Sequence, residues 1–339
     1  MIDPRAVSQG GGKLRRAGLL AFSLLMVCSV ARAELAPGSM SVQWNPGAAN
    51  CAASPQPPLQ VHQYNPSTFI LREGLCTTFE APFMYLLIGS TKALLVDTGD
   101  VADPKRVPLA RTVLGLLPGE GSLKLPLLVV HTHRHLDHRA GDPQFVGLPD
   151  VTVVGYDLES VQKYFGFKDW PDGIAQIDLG SRTVDVLPTP GHNPTDLSFY
   201  DRDTGLFLSG DFLLPGRLLI EDTDADVASA RRVASFVRER PVSYVLGGHI
   251  EQNRAGETFP WESRYHPQER ALQLSKEDLL ALPAILSTFN GLYSTEAGYT
   301  MLNPTRELFV MGAAVLVVLI AIVFWIVRYF RRRQRAAVS

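Results

Sequence analysis

Short apolar runs recur through the middle of the chain, and each one stops abruptly at a polar residue. Residues 83–89 and 93–96 flank Ser90-Thr91-Lys92, which predicts a hairpin whose second strand ends at Asp97-Thr98-Gly99-Asp100. Further runs over 127–131, 151–156, 183–187, 197–200, 206–209 and 242–246 predict strands. Asp201-Arg202-Asp203-Thr204-Gly205 reads as the turn between two of them. Apolar positions return at helical spacing over 104–117 and 227–237, and Ser275-x-x-Asp278 resembles a capping box before an apolar helix. Strands mixed with helices predict a layered α/β chain. The strand ends carry Asp97, His133, His192, Asp211 and His249. In layered α/β architectures the loops at strand ends are where binding sites form, because a rigid sheet holds them.

Two apolar stretches do not fit this rhythm. Near the N-terminus, Lys13, Arg15 and Arg16 precede a run over 17–30, and Ala31-Arg32-Ala33 follows as a small-x-small cleavage site. This is the secretory pattern, so residues 1–33 are expected to be a signal peptide, with a mature start at Glu34 or, if retained, an N-terminal anchor. Residues 308–327 are apolar or small without a charge, enough for a helix to cross a bilayer. Arg328, Arg331, Arg332, Arg333 and Arg335 follow at once, which predicts a basic cytoplasmic tail over 328–339. Both ends place the intervening chain outside the cytoplasmic membrane, as a single-pass protein with an extracytoplasmic domain. Residues 34–66, rich in Pro, Ala, Gln and Asn, read as an extended arm ahead of a domain at 67–300.

Net charge changes the list of partners. The formal charge is −2 for the whole chain, but both ends are basic, leaving roughly −10 on residues 34–306. A domain this acidic is a poor partner for nucleic acid, where phosphate contacts dominate affinity. A small-molecule substrate and a membrane are the partners expected. Cys28 falls in the signal run. Cys51 and Cys76 remain, an even pair that permits one disulfide in an exported domain and would tie the arm down.

The densest chemistry is Thr132-His133-Arg134-His135-Leu136-Asp137-His138, directly after the strand at 127–131. Three imidazoles and a carboxylate this close are costly to bury unless a cation compensates them. His with Asp is a ligand set that suits zinc. His133 and His135 can point the same way, while Asp137 and His138 reach a second position, so one segment can serve two adjacent metals. Six of the eight histidines (131, 133, 135, 138, 192 and 249) lie at or beside strand ends.

In this order these residues resemble the metallo-β-lactamase superfamily. His133-x-His135-x-Asp137-His138 matches its signature, Thr132 and Gly141 fit its flanks, and the resemblance covers about 78–255. It implies a four-layer αβ/βα sandwich of two mixed β-sheets, to which the C-terminal transmembrane helix is added. Carried over, a first metal would take His133, His135 and His192, a second Asp137, His138 and His249, and Asp211 would bridge both. Asp97 matches a position that orients a ligand, and His131 has no liganding counterpart. Two divalent ions, with zinc best suited, would lower the pKa of a shared water, and the resulting hydroxide would attack a carbonyl or phosphorus centre. Asp137 would carry a proton to the leaving group. Arg134 and Arg139 read as solvated arginines. The expected protein is a membrane-anchored metal-dependent hydrolase of an ester, lactone, thioester or phosphodiester. The compartment disfavours intracellular thioesters. The alternatives are a mononuclear iron sulfur dioxygenase, a β-lactamase, and a non-catalytic metal-binding domain. The bridging Asp211 argues against the β-lactamases, which lack it.

Overall fold

The structure is a computed structural model that describes residues 34–120 and 124–336. The expected signal peptide at 1–33 lies outside the described residues. The first sheet orders its strands as β1 (Leu59–Asn65), β2 (Thr68–Glu73), β3 (Phe83–Ile88), β4 (Ala93–Val96), β5 (Leu127–Val130) and β6 (Val151–Val153). β1 to β4 pair antiparallel, and β5 and β6 continue in parallel. The second sheet runs β13 (Gln273–Leu274), β12 (Tyr244–Gly247), β10 (Leu206–Gly210), β9 (Leu197–Asp201), β8 (Thr183–Pro188), β7 (Ala175–Asp178). Only its β10–β12 pair is parallel.

The continuous apolar runs follow from burial on both faces. Along β3, Phe83, Tyr85 and Leu87 point to the core between the sheets, while Met84 and Leu86 point outward under helix α1 (Leu109–Leu116). In β10, Leu206 and Leu208 face the same central core. Phe207 points the other way, towards α3 (Thr223–Val237) and α4 (Lys276–Leu286). The layers are therefore helix, sheet, sheet, helix, as the family resemblance implies. Helix α2 (Leu158–Phe165) contributes Val161 to the central core. The Ser275–Asp278 capping box forms at the start of α4.

Both ends of the domain differ from the sequence reading. Leu59–Asn65, placed in the arm, is a strand of the first sheet; its face is half solvated, with Val61 exposed, so it shows no apolar run. The preceding residues fold back: Met40 and Trp44 are buried, and the Trp44 ring meets Phe83 edge-on at 4.9 Å. The domain also runs past 300, because β11 (Arg217–Leu219), β15 (Tyr299–Leu302) and β14 (Tyr293–Glu296) form a third, small sheet. After it, α5 spans Pro304–Ala336, so the segment expected as a basic tail is helical as far as 336. Its Pro304–Tyr329 part is long and apolar enough to cross a membrane, and none of its apolar window is buried.

Cys51 and Cys76 are bonded, with 5.4 Å between their Cα atoms and 25 residues of separation. Closing a loop of that length contributes about 3 kcal/mol in the chain-entropy model. Replacing both by serine is expected to lower unfolding free energy by that order. Alkylation of the native protein without reductant should label neither cysteine, and two labelled thiols per chain would contradict the bond.

Candidate metal centre

Five strand ends meet at one edge of the sandwich. Asp97 follows β4, His133 follows β5, His192 follows β8, Asp211 follows β10 and His249 follows β12. Backbone hydrogen bonds draw the two sheets together there, from Leu197 N to Thr132 O at 2.7 Å and from Phe83 N to Gly248 O at 2.8 Å. Gly248 allows the close approach: a Cβ on it would lie 2.3 Å from Asp211 Oδ1 and 2.8 Å from His138 Cε1.

Two groups of donor atoms result, His133, His135 and His192 in one, and Asp137, His138, Asp211 and His249 in the other, each within 4.8 Å. In the first, His135 Nδ1 lies 2.9 Å from His133 Nε2 and 3.0 Å from His192 Nε2. In the second, Asp137 Oδ2 lies 3.3 Å from His138 Nε2 and 3.2 Å from His249 Nε2, and the two Nε2 atoms are 3.2 Å apart. Asp211 reaches both groups. Its Oδ1 is 3.5 Å from His138 and from His249, and its Oδ2 is 3.7 Å from His192.

The outer nitrogens decide what the inner ones carry. His192 Nδ1 donates to Leu219 O at 2.8 Å, His249 Nδ1 to Glu80 O at 2.7 Å, and His138 Nδ1 to Asp97 Oδ2 at 2.9 Å. A neutral imidazole that donates from Nδ1 presents a lone pair at Nε2. In their neutral forms His192, His249 and His138 therefore turn Nε2 lone pairs inward, beside Asp211 Oδ1, which is buried without a hydrogen-bond partner among the described residues. Burial pushes His133, His135 and His192 down, so all three are neutral donors. Burial acts the same way on His138 and His249, but Asp137 and Asp211 outweigh it and hold both above the usual imidazole range, His249 at about 10. Asp137 and Asp211 are in turn held below the carboxylate range, against burial, by His138 and His249. The second group thus demands positive charge between its members. Both groups fit a metal ion, and the imidazole–carboxylate chemistry is that of a borderline-hard divalent cation.

Asp97 holds this arrangement from behind. It adopts φ +65°, and its carboxylate accepts from Thr132 N at 2.7 Å, Thr132 Oγ1 at 2.9 Å and His138. His131 stands apart, bonded to Asp142 Oδ1 at 2.8 Å. His62 binds Ser39 O, and His266 stacks on Phe259, so neither belongs to the site. Arg139 lies over the Tyr156 ring, and Arg134 is exposed.

A cavity of about 170 Å³ opens onto the centre, and beyond the metal-facing groups its wall is Glu80, Leu214, Arg217, Leu219, Glu251 and Trp261. Sequence reasoning missed these six residues. Arg217 pairs with Glu251 at 3.0 Å and lies 4.2 Å from the centre of the Trp261 ring. Burial pushes the Glu80 carboxyl up to about 7, against the pull of His249 and with Asp137, Asp211 and Glu251 adding to the rise. Glu251 could have been suspected, two residues past His249 after a strand; Glu80 and Trp261 sit on loops that carry no periodic signal.

The family described as the Metallo-beta-lactamase superfamily matches residues 77–249, from just before β3 to His249. The chain belongs to the metallo-β-lactamase superfamily. Among its relatives in the superfamily, an Acyl-coenzyme A thioesterase MBLAC2 from Homo sapiens is 27% identical over 224 residues, 54% of this chain and 77% of that one. A Hydroxyacylglutathione hydrolase from Aeromonas hydrophila is 29% identical over 163 residues, 47% of this chain and 58% of that one. A solved Metallo-beta-lactamase from Pontibacter korlensis superposes with a TM-score of 0.46 at 16% identity, covering 68% of this chain and all of that one. The protein is accordingly a metallo-β-lactamase-superfamily hydrolase, an enzyme whose histidine-rich groups could hold metal.

Proposed function

We propose that the protein is an exported, membrane-anchored binuclear metallohydrolase that cleaves an acyl ester or thioester. His133, His135 and His192 would hold one cation, Asp137, His138 and His249 the second, and Asp211 would bridge them; zinc is the ion this set suits best. When bound, the pair supplies a nucleophile from water and opposes the negative charge that develops on the substrate oxygen. Asp97 is a positioning residue that fixes the His138 tautomer, as Leu219 O and Glu80 O do for His192 and His249. Asp137, whose side chain is 20% exposed and faces the cavity, is placed to pass a proton to the leaving group. Leu214, Leu219 and Trp261 offer an apolar wall to an acyl group.

The observation that carries the reading is the split reach of Asp211, one oxygen to each donor group. The relatives named as thioesterase and hydroxyacylglutathione hydrolase favour acyl chemistry over phosphodiesters. A turnover screen over esters, thioesters, lactones, phosphodiesters and β-lactams tests it. Ester or thioester hydrolysis with weak or absent penicillin and carbapenem turnover is expected; efficient β-lactam hydrolysis would overturn the substrate assignment.

The signal pattern at 1–33 and the apolar part of α5 support an extracytoplasmic domain with an internal C-terminus. A reporter active only in the cytoplasm should be silent when fused near residue 300 and active after Ser339. The reverse result would invert the topology.

A further inference from the structure

The cavity wall and the root of the membrane helix are neighbours in one small sheet. β11 carries Arg217 and Leu219 of the wall, and its residues pair with β15 in the register Arg217 to Thr300 and Leu219 to Leu302. Leu219 also supplies the carbonyl that holds His192. α5 begins two residues after Leu302. No loose linker intervenes: Asn303 Oδ1 accepts from Arg306 N at 2.9 Å, Asn303 Nδ2 donates to Glu221 O at 3.1 Å, and Arg306 Nη1 donates to Gly291 O at 3.0 Å. The uncharged stretch starts at Leu308.

These spacings fix the height of the site. Adjacent strands lie about 4.8 Å apart, and the helix from Pro304 to Leu308 rises about 6 Å. Leu219 is therefore held within roughly 15 Å of the hydrocarbon edge, and the headgroup layer occupies about 5–7 Å of that. Tyr293, exposed and paired with Leu302, stands at the same root, where aromatic side chains settle into the interface. Trp261, at the cavity wall, is also exposed.

We infer that the site acts on a bilayer-resident amphiphile, whose acyl chain stays in hydrocarbon while its ester or thioester carbonyl lies at headgroup height. The inference rests on the hydrolase and anchor readings above. The reaction consumes one water: its oxygen bonds to the acyl carbon, the carbon–oxygen or carbon–sulfur bond breaks, and the alcohol or thiol leaves with a proton. The acid departs as carboxylate, releasing the second proton. A fixed height would make an anchored enzyme efficient on such substrates, because both partners are confined to one thin layer and their effective concentration is raised.

The test uses the full chain in phosphatidylcholine vesicles with two aryl esters, one acetyl and water-soluble, one hexadecanoyl and bilayer-held. A variant carries an 18-residue Ala/Glu/Lys helical insert between Glu307 and Leu308. Five full turns keep the facing and raise the domain by about 27 Å. The native protein is expected to turn over the hexadecanoyl ester at least tenfold faster than the acetyl ester. The insert should remove that preference while leaving acetyl turnover within twofold, which also shows that the domain has folded. Native turnover of the acetyl ester alone, or an unchanged ratio in the insert variant, overturns the inference. Turnover of neither ester by the native protein overturns the ester-hydrolase reading itself. A second variant, Tyr293→Ser, should lower hexadecanoyl turnover selectively; an equal fall on both esters would contradict an interfacial role.

Discussion

Asp211→Ala is expected to lose one bound cation per chain and about a thousandfold in turnover, while the domain stays folded. A cation's stabilisation of developing charge amounts to several kcal/mol, and each 1.36 kcal/mol is tenfold in rate. The fold should survive because Oδ1 of Asp211 has no hydrogen-bond partner among the described residues, so no internal hydrogen bond of that atom is lost. The β10 residues ahead of it are all buried. Removing the carboxylate also removes a negative charge that helps hold His138 and His249 above the usual imidazole range. Metal content, turnover and the thermal transition of the variant should be measured together. Two metals with native turnover would make Asp211 a mere turn residue.

Arg182→Met should cost about 3–5 kcal/mol of stability, the range for breaking one partner of a buried ion pair. Arg182 and Asp201 are both buried, and the guanidinium donates to Asp201 from Nε at 2.9 Å and from Nη2 at 2.6 Å. The same side chain crosses to the other sheet, reaching Ser67 O at 2.9 Å and Thr68 Oγ1 at 2.8 Å. Methionine fills much of the volume but leaves the Asp201 charge buried. The double variant Arg182→Met with Asp201→Leu should recover a large part of the loss, because no lone charge then remains. A single variant within about 1 kcal/mol of native in urea unfolding would show that the pair contributes little.

These two residues also show where sequence stops being readable. Asp211 ends an apolar run and takes its place beside a dense histidine motif, so its chemistry can be read from neighbours along the chain. Asp201 reads correctly as the start of a hairpin turn, but nothing local announces that it holds a buried arginine. Arg182 meets Thr68 across 114 residues. Most central strands were legible because both faces are buried, which leaves unbroken apolar runs; β2 was not, although all six of its residues are buried, because Thr68, Arg72 and Glu73 break the run. Edge strands were not: β1 is half solvated, and β7 alternates intermediate or exposed residues with a single buried Ile177. The small sheet of β11, β15 and β14 was missed because its members are short and β11 lies far from its partner β15 in sequence, so that pairing, not periodicity, defines it. The clustering of His133, His135, Asp137, His138, His192, Asp211 and His249 was legible because those residue types are unusual at strand ends; the cavity wall was not, because Glu80, Arg217 and Trp261 are ordinary residues until the fold brings them together.

The central claim is that seven side chains hold two cations and that hydrolysis depends on them. Metal analysis of the purified full-length chain, paired with turnover before and after chelation, tests it directly. Two zinc ions per chain, loss of ester or thioester hydrolysis on chelation, and its return on adding zinc are predicted. A single iron per chain, or hydrolysis that persists after the metal is stripped, would contradict the account.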